Sequence, residues 1–96
     1  MKRLYVIIRK DLSAAQQAVQ AGHAIEEWMR DWYPQNKSDG TLIYLVAELE
    51  EMHDLMSHLC EEGYEVSAFY EPDIGNQMTA IACLATKGTF KNLEML

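Results

Sequence analysis

The fold of this chain is decided by EPDIGNQMTAIA, residues 71–82, where a constrained turn leads directly into an apolar strand. Pro72 fixes one backbone dihedral angle, Gly75 permits a positive one and Asn76 tolerates it, so the first half predicts a tight turn. A turn this short cannot carry a crossover between adjacent parallel strands. The strands on either side of it are therefore expected to pair antiparallel.

Asp73 lies inside this turn and has two interpretations. An Asp beside Pro and Gly commonly accepts a hydrogen bond from its own turn, which makes the residue purely structural. Alternatively, loops at the ends of buried strands are where α/β proteins place catalytic and binding groups, because the scaffold is rigid and the loop is hydrated. Spacing alone favours the structural interpretation.

Outward from this stretch, the hydrophobic periodicity predicts alternating strands and helices. The predicted strands cover residues 4–8, 41–47, 64–70 and 77–86, and the predicted helices run from Ala14 to the Tyr33-Pro34 pair, from Glu48 to Gly63, and from Thr89 to Leu96. The run at 4–8 is apolar throughout, as is typical of a central strand buried on both faces. The fold expected for residues 1–96 is a single-domain α/β sandwich, with a four-stranded mixed sheet and helices on both faces.

Each long helix carries an apolar stripe at helical spacing. The stripe of the first helix is Ala15, Ala18, Val19, Gly22, Ile25, Met29 and Trp32; that of the second is Leu49, Met52, Leu55, Met56 and Leu59. The small residues of the first stripe predict close packing of that helix. Trp28, Trp32 and Tyr33 belong to the core if they are buried, and they indicate a homodimer interface if they are exposed.

Composition narrows the classes of function. The chain has 49% hydrophobic residues and a net charge of −7, which is typical of a globular protein and argues against a broad nucleic-acid-binding face. The two cysteines, Cys60 and Cys83, lie in apolar-periodic segments and predict buried reduced thiols of a cytoplasmic protein. No segment approaches the length of a membrane span, and the apolar run at 4–8 is too short for a signal peptide.

Few common mechanisms have a matching motif. His53 and His58 are five residues apart and would point in different directions on a helix, so no metal site is predicted there. Arg9 and Lys10 follow the first strand and precede the start of a helix, where an anion is favoured. These two cations could bind a negatively charged substrate beside Asp73, or they could pair with Asp11, Glu71 or Asp73 at the surface.

Three segments together resemble the type-2 peptidyl-tRNA hydrolase family. They are YVIIRKDL at 5–12, AVQAGHA at 18–24, and DIG at 73–75 leading into TAIA at 79–82, in matching order over nearly the whole chain. The resemblance implies cleavage of the ester between a peptide and the 3′ end of tRNA, without a cofactor. It implies that Asp73 activates a water molecule while nearby donors stabilise the oxyanion.

The predicted site residues form two groups, of which the resemblance itself implies Arg9, Gln20, His23 and Asp73. The catalytic group is Asp73, Lys10, His23 and Thr79, and the substrate-binding group is Arg9, Gln16, Gln20 and Asn76. The chain departs from the family in two places, since Gln16 stands where the family has a lysine and the loop after Gly75 is shorter. Lys10 and Thr79 are hypothesised to supply the missing cation and hydroxyl. The alternative function is an inactive binding module of the same fold that recognises RNA or a protein partner.

Overall fold

The structure, a computed structural model, describes residues 1–96 and contains five strands and two α-helices. In chain order the elements are β1 (Lys2–Arg9), α1 (Ala14–Trp32), β2 (Leu42–Ala47), α2 (Leu49–Glu61), β3 (Val66–Glu71), a 3₁₀ helix (Pro72–Ile74), β4 (Gln77–Thr86) and β5 (Glu94–Met95). The sheet order is β3-β4-β1-β2-β5. The chain is thus a small α/β domain built on one mixed sheet.

The pairing of the strands brings several chain segments to one end of the sheet, where strands finish and begin. β1 is central, runs parallel to β2 and antiparallel to β4, and β4 pairs antiparallel with β3. The antiparallel pairing of β3 and β4 confirms the prediction from the short turn at 72–76. As a result the end of β1, the start of α1 and the β3–β4 turn all lie at the same end of the sheet.

The prediction of four strands and a helix at 89–96 is wrong. Residues after β4 form successive tight turns, in which the backbone N–H of Lys91 bonds to the Gly88 carbonyl at 3.3 Å, and the segment ends as β5 against β2. Phe90 is buried and packs edge-on against the Tyr5 ring, with centroids 5.0 Å apart. This packing, together with the unpaired edge of β2, decides the conformation, because an exposed strand edge favours a further strand.

The core consists of two clusters that share the central strand. Successive side chains of a strand point to opposite faces of its sheet. Leu4, Val6 and Ile8 of β1 therefore belong to the cluster that contains Trp28 of α1, whereas the alternate residues belong to the cluster that contains Met52 of α2. The predicted apolar stripe of α2 is confirmed, since all of its members are buried or packed against that second cluster.

The predicted buried face of α1 is wrong for five of its seven residues, because the helix is rotated about its axis; Ile25 and Trp32 do pack against the core. The buried residues of α1 are Gln20, Ala21, Ala24 and Trp28. Val19 is 54% exposed, Met29 is 41% exposed, and a Cβ added at Gly22 would meet open space. Trp28 is 2% exposed and Trp32 packs against its cluster, so both belong to the core rather than to an exposed patch, while Tyr33 is exposed.

Neither helix combines the length and the apolar character that crossing a membrane requires.

The two cysteines occupy different environments, which corrects the prediction that both are buried. Cys83 is fully buried in β4, and this burial raises the pKa of its thiol to about 12. Cys60 is exposed near the end of α2. We expect a thiol reagent such as DTNB at pH 8 to label Cys60 alone in the native protein and both cysteines in urea, because the thiolate is the reacting form. Labelling of both thiols at equal rates without denaturant would contradict the burial of Cys83.

Candidate functional site

A pocket of about 290 Å³ lies where the start of α1 faces the β3–β4 turn. Its polar lining comes from Gln16, Gln20, Glu71, Asp73 and Thr79, and its apolar lining comes from Leu12, Ala15, Val19 and Ile74. Four of the eight residues predicted for the site therefore meet here, although they are separated by up to 63 positions in the chain. The pocket is at the end of the sheet where β1 and β3 finish.

The start of α1 is fixed by a capping box. Ser13 Oγ accepts from the Gln16 backbone N–H at 3.2 Å, and Gln16 Oε1 accepts from the Ser13 N–H at 3.2 Å. Such reciprocal bonds satisfy two backbone donors that a helix start otherwise leaves free. The amide oxygen of Gln16 is thereby held at the helix start, and Gln16 also lines the pocket.

The β3–β4 turn is closed by backbone bonds alone. Gly75 N–H bonds to the Pro72 carbonyl at 3.2 Å, Asn76 N–H bonds to the Glu71 carbonyl at 2.9 Å, and both residues have positive φ angles of 74° and 59°. Asp73 makes no side-chain hydrogen bond to cap this turn. The interpretation of Asp73 as the acceptor of its own turn is therefore wrong, and its carboxylate remains unpaired at the pocket.

A chain of hydrogen bonds runs from the pocket into the core. Gln20, which is 6% exposed, donates from Nε2 to Glu71 Oε1 at 2.8 Å. Its Oε1 accepts from Thr79 Oγ1 at 2.6 Å. Because buried polar groups are costly without partners, these bonds account for a glutamine inside the α1–sheet contact. Thr79 itself is fully buried, so its hydroxyl acts on Gln20 rather than on bound ligands.

Arg9 is held at the end of β1 by two partners. Its Nε and Nη2 donate to the two carboxylate oxygens of Asp11 at 2.6 and 3.1 Å, and its Nη1 donates to Gln77 Oε1 at 2.8 Å. The Asp11 carboxylate raises the pKa of the Arg9 guanidinium, and the guanidinium lowers the pKa of Asp11. Arg9 therefore ties β1 to the start of β4 and is already neutralised by Asp11.

Lys10 does not line the pocket, although it was hypothesised to supply the cation that the family has and this chain lacks. Its Nζ lies 2.9 Å from Glu94 Oε1 of β5, and this contact raises the pKa of the ammonium group. In the sheet, β2 and β5 lie on one side of β1, and β4 and β3 lie on the other. Lys10 is directed toward β5, whereas Asp73 follows β3, so the two residues lie on opposite sides of β1. The pocket therefore has no lysine or arginine in its lining.

Two further predicted residues also lie outside the pocket lining. His23 is half-buried one turn after Gln20, and its ring stacks on Phe69 with centroids 4.5 Å apart and an interplanar angle of 15°. Asn76 occupies the left-handed position of the β3–β4 turn and is exposed. No group of three or more His, Cys, Asp or Glu side chains is placed to hold a metal ion.

Glu71 is the site residue that sequence reasoning missed. It appeared only as a possible surface partner of Arg9 or Lys10, yet it lines the pocket and binds Gln20. Its position directly before Pro72, at the last residue of β3, was a usable signal, because binding and catalytic groups concentrate where a rigid scaffold passes into a loop.

Comparison with known proteins supports the fold and adds no function. No protein-family model matches the sequence, and no curated protein matches it significantly. A solved structure of a protein of unknown function from Agrobacterium tumefaciens strain C58 superposes with a TM-score of 0.73 at 13% identity, covering 99% of this chain and 97% of the other. At that identity the likeness concerns the α/β fold alone.

Proposed function

We propose that this protein is a cytoplasmic, cofactor-independent hydrolase that cleaves the ester between an acyl group and the 3′ end of tRNA, as the resemblance to type-2 peptidyl-tRNA hydrolases implies. One observation carries the proposal. The unpaired Asp73 carboxylate lines the same pocket as Gln20, which the resemblance assigns to the site, and as Gln16 and Thr79, which were predicted to complete it.

Each residue has a chemical role in this proposal. Asp73 accepts a proton from a water molecule, the water oxygen attacks the acyl carbon, and the proton passes to the ribose oxygen when the ester bond breaks. Gln20, held by Glu71 and Thr79, donates to the oxyanion that develops on the acyl oxygen. The amide of Gln16 takes the place of the lysine that the family has at that position.

The alternative function, a binding module without turnover, is favoured by a different observation. Arg9 and Lys10 are both engaged by carboxylates, so the pocket has no cation to stabilise an oxyanion or a phosphate. A protein with this arrangement and a charge of −7 would bind a protein or a nucleic acid end without cleaving it.

The experiment that separates these functions is incubation of purified protein with N-acetylated aminoacyl-tRNA. For a hydrolase, we expect release of the N-acetylated amino acid above the rate measured without protein. Absence of release, with tRNA still retained in a gel shift, would favour the binding module. Absence of both would exclude tRNA as the partner.

A further inference from the structure

The pocket carries two carboxylates and no compensating cation. Glu71 and Asp73 both line it, and neither takes part in an ion pair. Arg9 and Lys10, the two cations that precede α1, are bound to Asp11 and Glu94. Two like charges at one cavity favour a ligand of opposite charge, because a cation there is attracted to both.

Gln20 supplies a second feature, an amide hydrogen without a protein acceptor. Gln20 Nε2 donates to Glu71 Oε1 at 2.8 Å, and Gln20 Oε1 accepts from the Thr79 hydroxyl. Nε2 carries two hydrogens, and only one is donated within the protein. Gln20 is more than nine-tenths buried and lines the pocket, so its second hydrogen is available to an acceptor atom of a ligand there.

These features place an acceptor and a donor side by side. Glu71 Oε1 accepts, Gln20 Nε2 donates, and the two atoms are 2.8 Å apart. The ammonium nitrogen and the carbonyl oxygen of an α-aminoacyl group are separated by about 3 Å in standard covalent geometry, and they offer the complementary donor and acceptor. The pair therefore matches an α-aminoacyl group whose amine is free.

We propose that the acyl group recognised at this pocket is an aminoacyl group with a free α-ammonium and an apolar side chain, rather than an N-blocked peptide. Glu71 binds the ammonium, Gln20 binds the carbonyl oxygen, and the apolar wall formed by Leu12, Ala15, Val19 and Ile74 contacts the side chain. The pocket volume, about 290 Å³, is at the lower end of small-molecule sites and suits one amino-acid residue.

This inference rests on the proposed ester hydrolysis and adds its substrate class. The experiment compares leucyl-tRNA with N-acetyl-leucyl-tRNA, each rate being divided by the rate without protein, because a free ammonium itself activates the ester. We expect the wild-type protein to favour the free amine by about tenfold or more, and Glu71→Gln to lower that preference by about tenfold, as loss of a charge-assisted hydrogen bond implies. Glu61→Gln is the matched control, since Glu61 is exposed at the end of α2 and its substitution changes the net charge by the same amount.

The outcomes separate the two proposals. If the wild-type protein cleaved the two esters at equal normalised rates, or cleaved the acetylated ester faster, the free-amine inference would be overturned and the hydrolase proposal would stand. This comparison needs the wild-type protein only. If neither ester is cleaved, the hydrolase proposal fails, and titration with leucinamide and N-acetyl-leucinamide by NMR decides the inference. Binding of leucinamide alone, weakened in Glu71→Gln, would support it; equal binding of the two amides, or binding of neither, would overturn it.

Discussion

Replacing Asp73 with asparagine is expected to lower the rate of ester hydrolysis by about two to four orders of magnitude, the range ascribed to a general base. Asparagine keeps the size and polarity of the side chain but cannot accept a proton from water. Because Asp73 caps no turn and is exposed, we expect the free energy of unfolding to change by no more than about 0.5 kcal/mol.

The measurement is release of N-acetylated amino acid from tRNA by the wild type and by Asp73→Asn at equal protein concentration, with urea denaturation of both. Asp54→Asn is the matched control, since Asp54 is exposed on α2 and the charge change is the same. A rate within about threefold of the wild type in Asp73→Asn would refute a role as general base, whose loss costs at least about a hundredfold.

Replacing Trp28 with alanine is expected to lower the free energy of unfolding by about 3 to 5 kcal/mol, a large share of the roughly 5 to 15 kcal/mol of an ordinary domain. Trp28 is 2% exposed in the cluster between α1 and the sheet. Its Nε1 donates to the Glu65 carbonyl at 2.9 Å, so alanine leaves a cavity and removes one of the two donors to that carbonyl, which keeps the Leu84 N–H at 3.1 Å.

Urea denaturation of Trp28→Ala and Trp28→Phe tests this expectation. Phenylalanine retains most of the apolar surface and loses the N–H, so a smaller loss of about 1 to 3 kcal/mol is expected. If Trp28→Ala cost less than about 1 kcal/mol, typical of a surface site, Trp28 would not belong to the core. The dimer interface considered from the sequence would then be the better interpretation.

Local signals account for the parts of the fold that were predicted correctly. The unbroken apolar run at 4–8 requires burial on both sides, and β1 is accordingly the central strand. The helix α1 ends at Trp32 because Tyr33, the residue before a proline, adopts an extended conformation. Both signals act within a few residues, so no knowledge of the rest of the chain was needed.

The candidate site was only partly predictable, for a reason seen in Gln20 and Lys10. Gln20 is buried because Glu71 and Thr79, which are 51 and 59 positions away, satisfy its amide. Lys10 is removed from the site by Glu94, 84 positions away, on a strand that the sequence predicted as helix. In both cases the partner was not local, so hydrophobic periodicity contained no information about it.

Local features of the sequence specify the order of the long helices and main strands, the tight turn at 72–76 and the antiparallel pairing of the strands beside it, because propensity, proline and glycine act within a few residues. Tertiary structure alone decided which face of α1 is buried, that residues 94–95 pair with β2, and that Asp73 faces a pocket with Glu71 and without Lys10. These outcomes depend on which distant groups can satisfy buried polar atoms and cover apolar surface once the sheet has formed.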